Sequence, residues 1–355
     1  MVLVLKDEDI ATCLPMHVTV EVQRAAFKAL AKGSATVPSR IIAPIPQNGL
    51  TALFKPAIIG ESGQGGLGLK VINVVPGNAQ KNLPTTPAVV MLFDNVTGVP
   101  LCIMNATWLT AARTAAGSGV ATDLLAKPDA QRLVIFGAGL QAESHLEACA
   151  SVRDIKDVII INRSLGRADA LVKKYKNGLF RERILRHGKA VATRGGVPAF
   201  TVLTLDDKDG IAAALASADI VCTTTNSTSP LFDANDLKPG AHVNAVGSYT
   251  PTMQELPENL ISSSILVLDT AHAWDAGDLS IPRAAGSVTE AQVLGNLGDA
   301  ILMENPRVKA QQMQDQLKHP FTLFKSVGVA VQDVAAGKAA FDAASQAGMG
   351  QSVDF

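Results

Sequence analysis

The run Leu133-Val134-Ile135-Phe136 stops at Gly137-Ala138-Gly139-Leu140-Gln141-Ala142 and passes directly into Glu143-Ser144-His145-Leu146-Glu147-Ala148-Cys149. A β-branched apolar run, a Gly-x-Gly-x-x-Ala turn and a helix-forming segment, in that order, make the unit that cradles a dinucleotide pyrophosphate. Gly137 takes the tight turn, Gly139 lets the backbone approach the phosphates, and Ala142 keeps helix and strand close. The helix start at Leu140 and Gln141 offers free N–H groups to the anion. This segment commits its part of the chain to a parallel α/β sheet and places cofactor contacts at Gly137, Ala138, Gly139, Leu140 and Gln141.

At 355 residues the chain exceeds what one compact core holds, so two domains are expected. From Arg132 onward, strands are predicted at Leu133–Phe136, Asp157–Ile161, Phe200–Leu203, Ile220–Thr223, His242–Val246 and Ile265–Leu268. Helical stretches between several of them fit right-handed βαβ units in a doubly wound sheet. Residues 1 to about 115 read as mixed α+β. There is a helix over Val18–Ala31, then short apolar runs at Val37–Ile42, Leu50–Phe54, Leu67–Val71, Ala88–Phe93 and Pro100–Met104, with a hairpin turn at Asp94–Gly98. An Ala-rich helix follows over Ala106–Leu125. A second, over Ser326–Ala347, has no strand after it to pair and is expected to pack back on the first domain.

Composition narrows the partners. A formal charge of −1 and 4% aromatic residues argue against nucleic acid or an anionic membrane surface. No apolar stretch approaches the ~20 residues that span a bilayer, and acids enter within the first seven residues, so no secretory leader is expected. Cys13, Cys102, Cys149 and Cys222 form no CxxC pair. They read as buried free thiols in a reducing, cytoplasmic setting without a bound metal. The basic stretch Lys173–Arg194 reads as a solvated face or a phosphate-binding segment.

The second strand ends at Asn162-Arg163-Ser164, where an NAD site usually places an acid for the ribose hydroxyls. The neutral Asn162 and Ser164, with Arg163 able to pair a 2′-phosphate, favour NADP(H), with NAD(H) possible.

Charged residues also interrupt apolar segments: Arg40 after Val37-Pro38-Ser39, Lys70 within Gly68-Leu69-Lys70-Val71-Ile72, and Arg113 one helical turn after Thr110. Two guanidinium groups and an ammonium suit a small carboxylate substrate. Gly247-Ser248-Tyr249-Thr250-Pro251 follows a late strand, where ligands lodge beyond the carboxyl ends.

With these stretches the chain resembles the ornithine cyclodeaminase/mu-crystallin family. The resemblance is carried over nearly the whole length by Val37–Arg40, Gly68–Lys70, Leu109–Ala116, the glycine turn, Pro239–Gly247 and Thr322–Gly328. It implies a homodimer in which a Rossmann-type doubly wound domain (residues 116–319) is inserted into an α+β substrate-binding and dimerisation domain (1–115 and 320–355). It implies that Arg40 and Arg113 bind a substrate carboxylate, that Lys70 is the active-site lysine, and that Thr110, Val246 and Gly247 contact the cofactor. Asp275-Ala276-Gly277-Asp278 resembles a family stretch whose role the sequence leaves open.

One departure bears on the reaction. Ornithine cyclodeaminases and the family's alanine dehydrogenases carry an aspartate where this chain has Tyr249, and a phenol is a poor base at neutral pH. The ketimine reductase-like members lack that aspartate too. The expectation is an NAD(P)H-dependent reductase of a cyclic ketimine carboxylate, pyrroline-2-carboxylate or piperideine-2-carboxylate, giving proline or pipecolate, with Tyr249 lining the substrate. The alternatives are ornithine cyclodeamination to proline and ammonia, or a binding protein holding NADPH and a small ligand.

Overall fold

The computed structural model describes residues 1–60, 65–179 and 197–354. Within the basic stretch, Arg181, Arg183, Arg186, Lys189 and Arg194 lie outside the described residues. Two compact units are present, one of residues 1–113 and 328–355, the other of residues 114–327.

The first unit is built on a mixed sheet. Its described strands, numbered in chain order through both units, are β1 (Val2–Leu5), β2 (Ala35–Thr36), β3 (Ile41–Ile45), β4 (Leu50–Ile59), β5 (Gly66–Val74), β6 (Ala88–Phe93), β7 (Pro100–Asn105) and β16 (Gln351–Val353). They lie in the order β16-β1-β7-β6-β5-β4-β2, with β3 also on β4. Only the β1–β7 pair among them is parallel. The turn at Asp94 closes the β6–β7 hairpin, its carboxylate accepting from the N–H groups of Val96 and Thr97. Helices α1 (Asp7–Cys13) and α2 (Met16–Ala31) pack with α11 (Ala330–Ala347), which covers β4, β5 and β6. That approach needs small residues on both surfaces. A Cβ on Gly68 would stand 3.1 Å from Val334, and one on Gly337 would stand 3.1 Å from Val90.

Helix α3 (Thr107–Leu125) contains the division between the units. The second unit holds an all-parallel sheet of β8 (Arg132–Phe136), β9 (Asp157–Asn162), β10 (Ala199–Thr204), β11 (Ile220–Thr223), β12 (His242–Ala245), β13 (Ser264–Leu268), β14 (Val293–Asn296) and β15 (Phe321–Lys325). The order is β10-β9-β8-β11-β12-β15-β13-β14. The run Leu133–Phe136 of the central strand β8 is apolar throughout because both faces of the sheet are covered there, and its four residues are fully buried. The edge strand β10 instead alternates exposure. The connecting helices are α4 (Leu140–Val152), α5 (Leu165–Lys174), α6 (Lys208–Leu215), α7 (Glu258–Ser262), α8 (Gly277–Ala284), α9 (Leu297–Leu302) and α10 (Pro306–Leu317). Strand order reverses between β8 and β11, the switch point where such sheets bind ligands.

The fold therefore is the expected one: a doubly wound α/β sheet accompanied by a mixed α+β unit. Four local expectations need correction. Residues 320–325 belong with the parallel sheet, since β15 lies between β12 and β13; Thr322 and Lys325 broke the apolar run that would have marked a strand. The C-terminal helix starts at Ala330, because Gly328 adopts φ +77° and interrupts it. A strand does follow that helix, β16 on β1. Pro38 falls in an irregular segment, so the strand read over Val37–Ile42 begins only at Ile41.

Candidate active site

In the first unit, Lys70 on β5 lies directly opposite Lys55 on β4. Lys70 Nζ donates to Asp333 Oδ1 at 2.6 Å and to Thr110 Oγ1 at 3.3 Å. Arg113, one turn after Thr110 on α3, brings Nε to 2.7 Å from the same Asp333 Oδ1, as an ion contact without hydrogen-bond alignment. Its Nη1 donates to Gln332 Oε1 at 3.0 Å, and Gln332 Nε2 donates back to the Arg113 carbonyl at 3.2 Å. Lys55 Nζ lies 3.6 Å from Asp333 Oδ2 and donates to the Gly328 carbonyl. Gly328 is required here. With φ at +77°, a Cβ would stand 2.6 Å from Arg113 Nη1, in the space the guanidinium needs.

Every charged member of this cluster is buried. Burial would raise the Asp333 pKa, yet the charges of Arg113, Lys70 and Lys55 outweigh it and hold the carboxyl well below its usual range. For Lys70 burial is the largest influence and pushes the ammonium well below its ordinary value. Asp333 opposes that push, while Arg113 and Lys55 add to it. Lys70 and Arg113 share a single carboxylate, so a small anion brought to them meets a positive field in a poorly solvated place. A lysine with a lowered pKa also gives up its proton more readily.

Arg40 is not part of this cluster. It is half-buried in the irregular segment before β3 and makes no ion pair among the described residues. Thr110, expected against the cofactor, has its hydroxyl between Lys70 and the Ala106 carbonyl.

In the second unit the glycine turn lies at the switch point. Gly137 has φ +117°, and a Cβ there would stand 2.5 Å from Thr224 Oγ1, so the turn tolerates only glycine. Gly139 is the N-cap of α4, with no side-chain cap and open space where a Cβ would project. The first N–H groups of α4, at Leu140 and Gln141, lack a capping side chain, and Ala138 is half-buried beside them. Gln141 Oε1 is buried without a hydrogen-bond partner. Uncapped donors, an open glycine and an orphaned acceptor at one turn fit a dinucleotide pyrophosphate and its polar neighbours. His145, deeper on α4, is bonded to Ser118 Oγ and the Gln141 carbonyl. Burial lowers its pKa to about 4, so it is a neutral packing residue.

Asn162 Nδ2 donates to the Ser164 carbonyl, Ser164 is the N-cap of α5 with its hydroxyl uncommitted to the cap, and Arg163 is exposed. Val246 and Gly247 follow β12; Gly247 N–H donates to the buried Glu255. Tyr249, two residues on, is exposed to 47%, and burial of the rest raises its pKa. Asp278 is fully buried and paired with Lys325.

Sequence reasoning passed over Lys55, Gln332 and Asp333. Lys55, in Leu53-Phe54-Lys55-Pro56-Ala57, carried the signal that marked Lys70: one charge in a buried strand. Asp333 was hidden because an acid in a helix's first turn already has an ordinary explanation in the helix dipole.

The ornithine cyclodeaminase/mu-crystallin family model matches residues 2–185 and 207–348. The chain belongs to that family. Among family relatives, a Δ1-pyrroline-2-carboxylate reductase of Bacillus cereus is 33% identical over 356 residues, covering 99% of this chain and 100% of the relative. The structure of the Thermococcus litoralis Δ1-pyrroline-2-carboxylate reductase in complex with NADH and L-proline is similar with a TM-score of 0.84. It has 27% identity, with coverage of 99% of this chain and 100% of that one. An archaeal alanine dehydrogenase dimer with bound NAD gives a TM-score of 0.81 at 26% identity, covering 100% of this chain and 99% of that one. Family membership therefore spans reactions on different substrates, and the site must separate them.

Proposed function

We propose that this protein is an NAD(P)H-dependent reductase of a cyclic ketimine carboxylate, converting pyrroline-2-carboxylate or piperideine-2-carboxylate to proline or pipecolate. The observation that carries this reading is the buried Lys70–Asp333–Arg113 cluster. It supplies positive charge for a carboxylate and a lysine proton for an imine nitrogen. The pyrroline-2-carboxylate reductase relatives support it. So does the neutral Tyr249, which offers no counter-charge to a second substrate ammonium.

In this reading Arg113, with Arg40, holds the substrate carboxylate. Gln332 fixes the guanidinium from one side and Asp333 from the other. Lys70 stands beside the ring nitrogen, steered by Asp333 and the Thr110 hydroxyl, and delivers the proton that makes it an amine. The dihydronicotinamide, when bound, supplies the hydride to the C=N carbon. Gly137, Ala138, Gly139, Leu140, Gln141, Val246 and Gly247 hold the dinucleotide. Asn162, Arg163 and Ser164 meet its adenosine ribose, where the exposed guanidinium supports NADP(H) over NAD(H), although both structural relatives hold the unphosphorylated form. The exposed Ile41, Ile42 and Ile45 of β3, with the dimeric relative, support a homodimer. Four free cysteines support a cytoplasmic setting.

The test is a panel of both cyclic imines and of ornithine, each with NADH and NADPH. Net cofactor oxidation with an imine is expected. Conversion of ornithine to proline and ammonia without net cofactor change would overturn the reading, as would cofactor binding with no turnover of either imine. Arg163→Ala should raise KM for NADPH about tenfold or more, the worth of a charge-assisted bond to phosphate; an unchanged value refutes the NADP(H) assignment.

A further inference from the structure

Resting on that reading, we propose that Lys55 is a positioning residue for the reaction: its ammonium competes with that of Lys70 for the Asp333 carboxylate, which keeps the Lys70 proton available to the ring nitrogen. Lys55 and Lys70 lie directly opposite each other on the antiparallel β4–β5 pair, so both side chains project from one face of the sheet. The same-face pairs on either side are Leu53 with Ile72 and Ala57 with Gly68, all apolar or small. Helix α11 covers that face, with Val334 against Gly68. Like charges directly across a strand pair destabilise it, and burying both adds to the cost. An apolar side chain at position 55 would serve the sheet better. Lys55 is nevertheless buried, with Nζ 3.6 Å from Asp333 Oδ2, while Lys70 Nζ stands 2.6 Å from Oδ1 of the same carboxylate.

The charged groups that face Lys70 among the described residues are Asp333 from α11, Arg113 from α3 and Lys55 from β4; across from it on β6 stands the uncharged Val90. One carboxylate therefore serves three cations. In the proposed reaction the substrate carboxylate meets the charge of Arg113. By itself that would tighten the hold of Asp333 on the Lys70 proton. Lys55, donating to the Gly328 carbonyl at 3.2 Å, keeps its own charge beside Lys70 throughout. The lowered proton affinity of Lys70, to which burial contributes most and Arg113 and Lys55 add, agrees with this arrangement.

Two substitutions separate the charge from the contact. Lys55→Met removes the charge and the bond to Gly328, whereas Lys55→Gln removes the charge and leaves an N–H donor on the side chain. Lysine labelled with ¹³C at Cε reports loss of the ammonium proton, and Lys70→Met identifies the Lys70 line. In both variants the Lys70 midpoint should rise by about one pH unit or more, the scale on which a like charge at close range acts. The alkaline limb of the single-turnover rate with the cyclic imine should move up by a similar amount, since Lys70 must be protonated to act. A Lys70 midpoint that stays in both variants denies the charge effect and overturns the proposal. One that moves in Lys55→Met alone also overturns it, because the bond to Gly328 is then what matters. Lys55→Gln carries the test if Lys55→Met does not fold. A shifted midpoint with an unshifted rate profile overturns the part that Lys55 plays in the reaction. The titration needs no turnover: a wild-type protein that reduces neither imine refutes the proposed reaction, while the midpoints still decide whether Lys55 governs the Lys70 proton.

Discussion

Replacing Asp333 by Asn keeps the side chain's shape and removes the one carboxylate that Lys70 and Arg113 share. In the native protein Asp333 is fully buried, with Lys70 Nζ at 2.6 Å and Arg113 Nε at 2.7 Å. Taking one partner from a buried pair leaves the other charge uncompensated, at a cost of about 3–5 kcal/mol. Domains of this kind have roughly 5–15 kcal/mol in all, so Asp333→Asn should visibly weaken the fold. Lys70→Met alone should cost much less, because Asp333 keeps Arg113 and an apolar side chain suits the site. With both substitutions Arg113 and Lys55 lack their counter-charge, and Gln332 and the Gly328 carbonyl still hold them. The double variant should then be more stable than the sum of the single losses by about 2 kcal/mol, within the range seen for residues in contact. Urea unfolding of the four proteins at neutral pH measures this. Additivity to within about 0.5 kcal/mol would refute the shared-carboxylate account, as would a native-like Asp333→Asn variant.

Lys70 also sets a pH dependence. Its folded pKa lies well below the ordinary 10.5; between those values the unfolded chain binds the extra proton, so stability rises with pH. Urea midpoints should climb from neutral toward the alkaline end of that window in the wild-type protein, and less steeply in Lys70→Met; equal slopes refute the assignment. The Asp333 pKa is also lowered, below the ordinary carboxylate range, so its contribution is complete above that range and is lost only in strong acid. At the glycine turn, Gly137→Ala combines a left-handed φ with a 2.5 Å approach to Thr224 Oγ1. It should cost about 2 kcal/mol and abolish the fluorescence change on NADH or NADPH binding; undiminished binding would show that the cofactor does not use this turn.

Periodicity served best where a segment is long or wholly apolar. The runs Leu133–Phe136 of β8, Val158–Ile161 of β9 and Ile220–Cys222 of β11 stand out because they are wholly apolar, and helix α3 because it is long and rich in alanine. Strand β15 was lost for the converse reason: Lys325 and Thr322 make it look like a loop, and only the buried partner Asp278 explains the lysine. At the site, Lys70 and Arg113 were legible as charges out of place. Their convergence was not, because Asp333 comes from a helix more than two hundred residues away in sequence and its position there needs no special explanation. Lys55 carries the same signal as Lys70 but lies just past the apolar run Leu50–Phe54, beside Pro56, whereas the strand itself continues to Ile59.

The discontinuity of the first unit bears on how the protein is made. The second unit is a single uninterrupted stretch and can complete its parallel sheet while the C-terminal residues are still being synthesised. The first unit cannot: β1 waits for β16, and β4, β5 and β6 wait for α11 to cover them. Until then Lys70 and Arg113 have no carboxylate to share. Residues 330–353 therefore both close the sheet and neutralise its buried charge, so a chain stopped before residue 328 keeps the residues of the parallel sheet and lacks the carboxylate that Lys70 and Arg113 share.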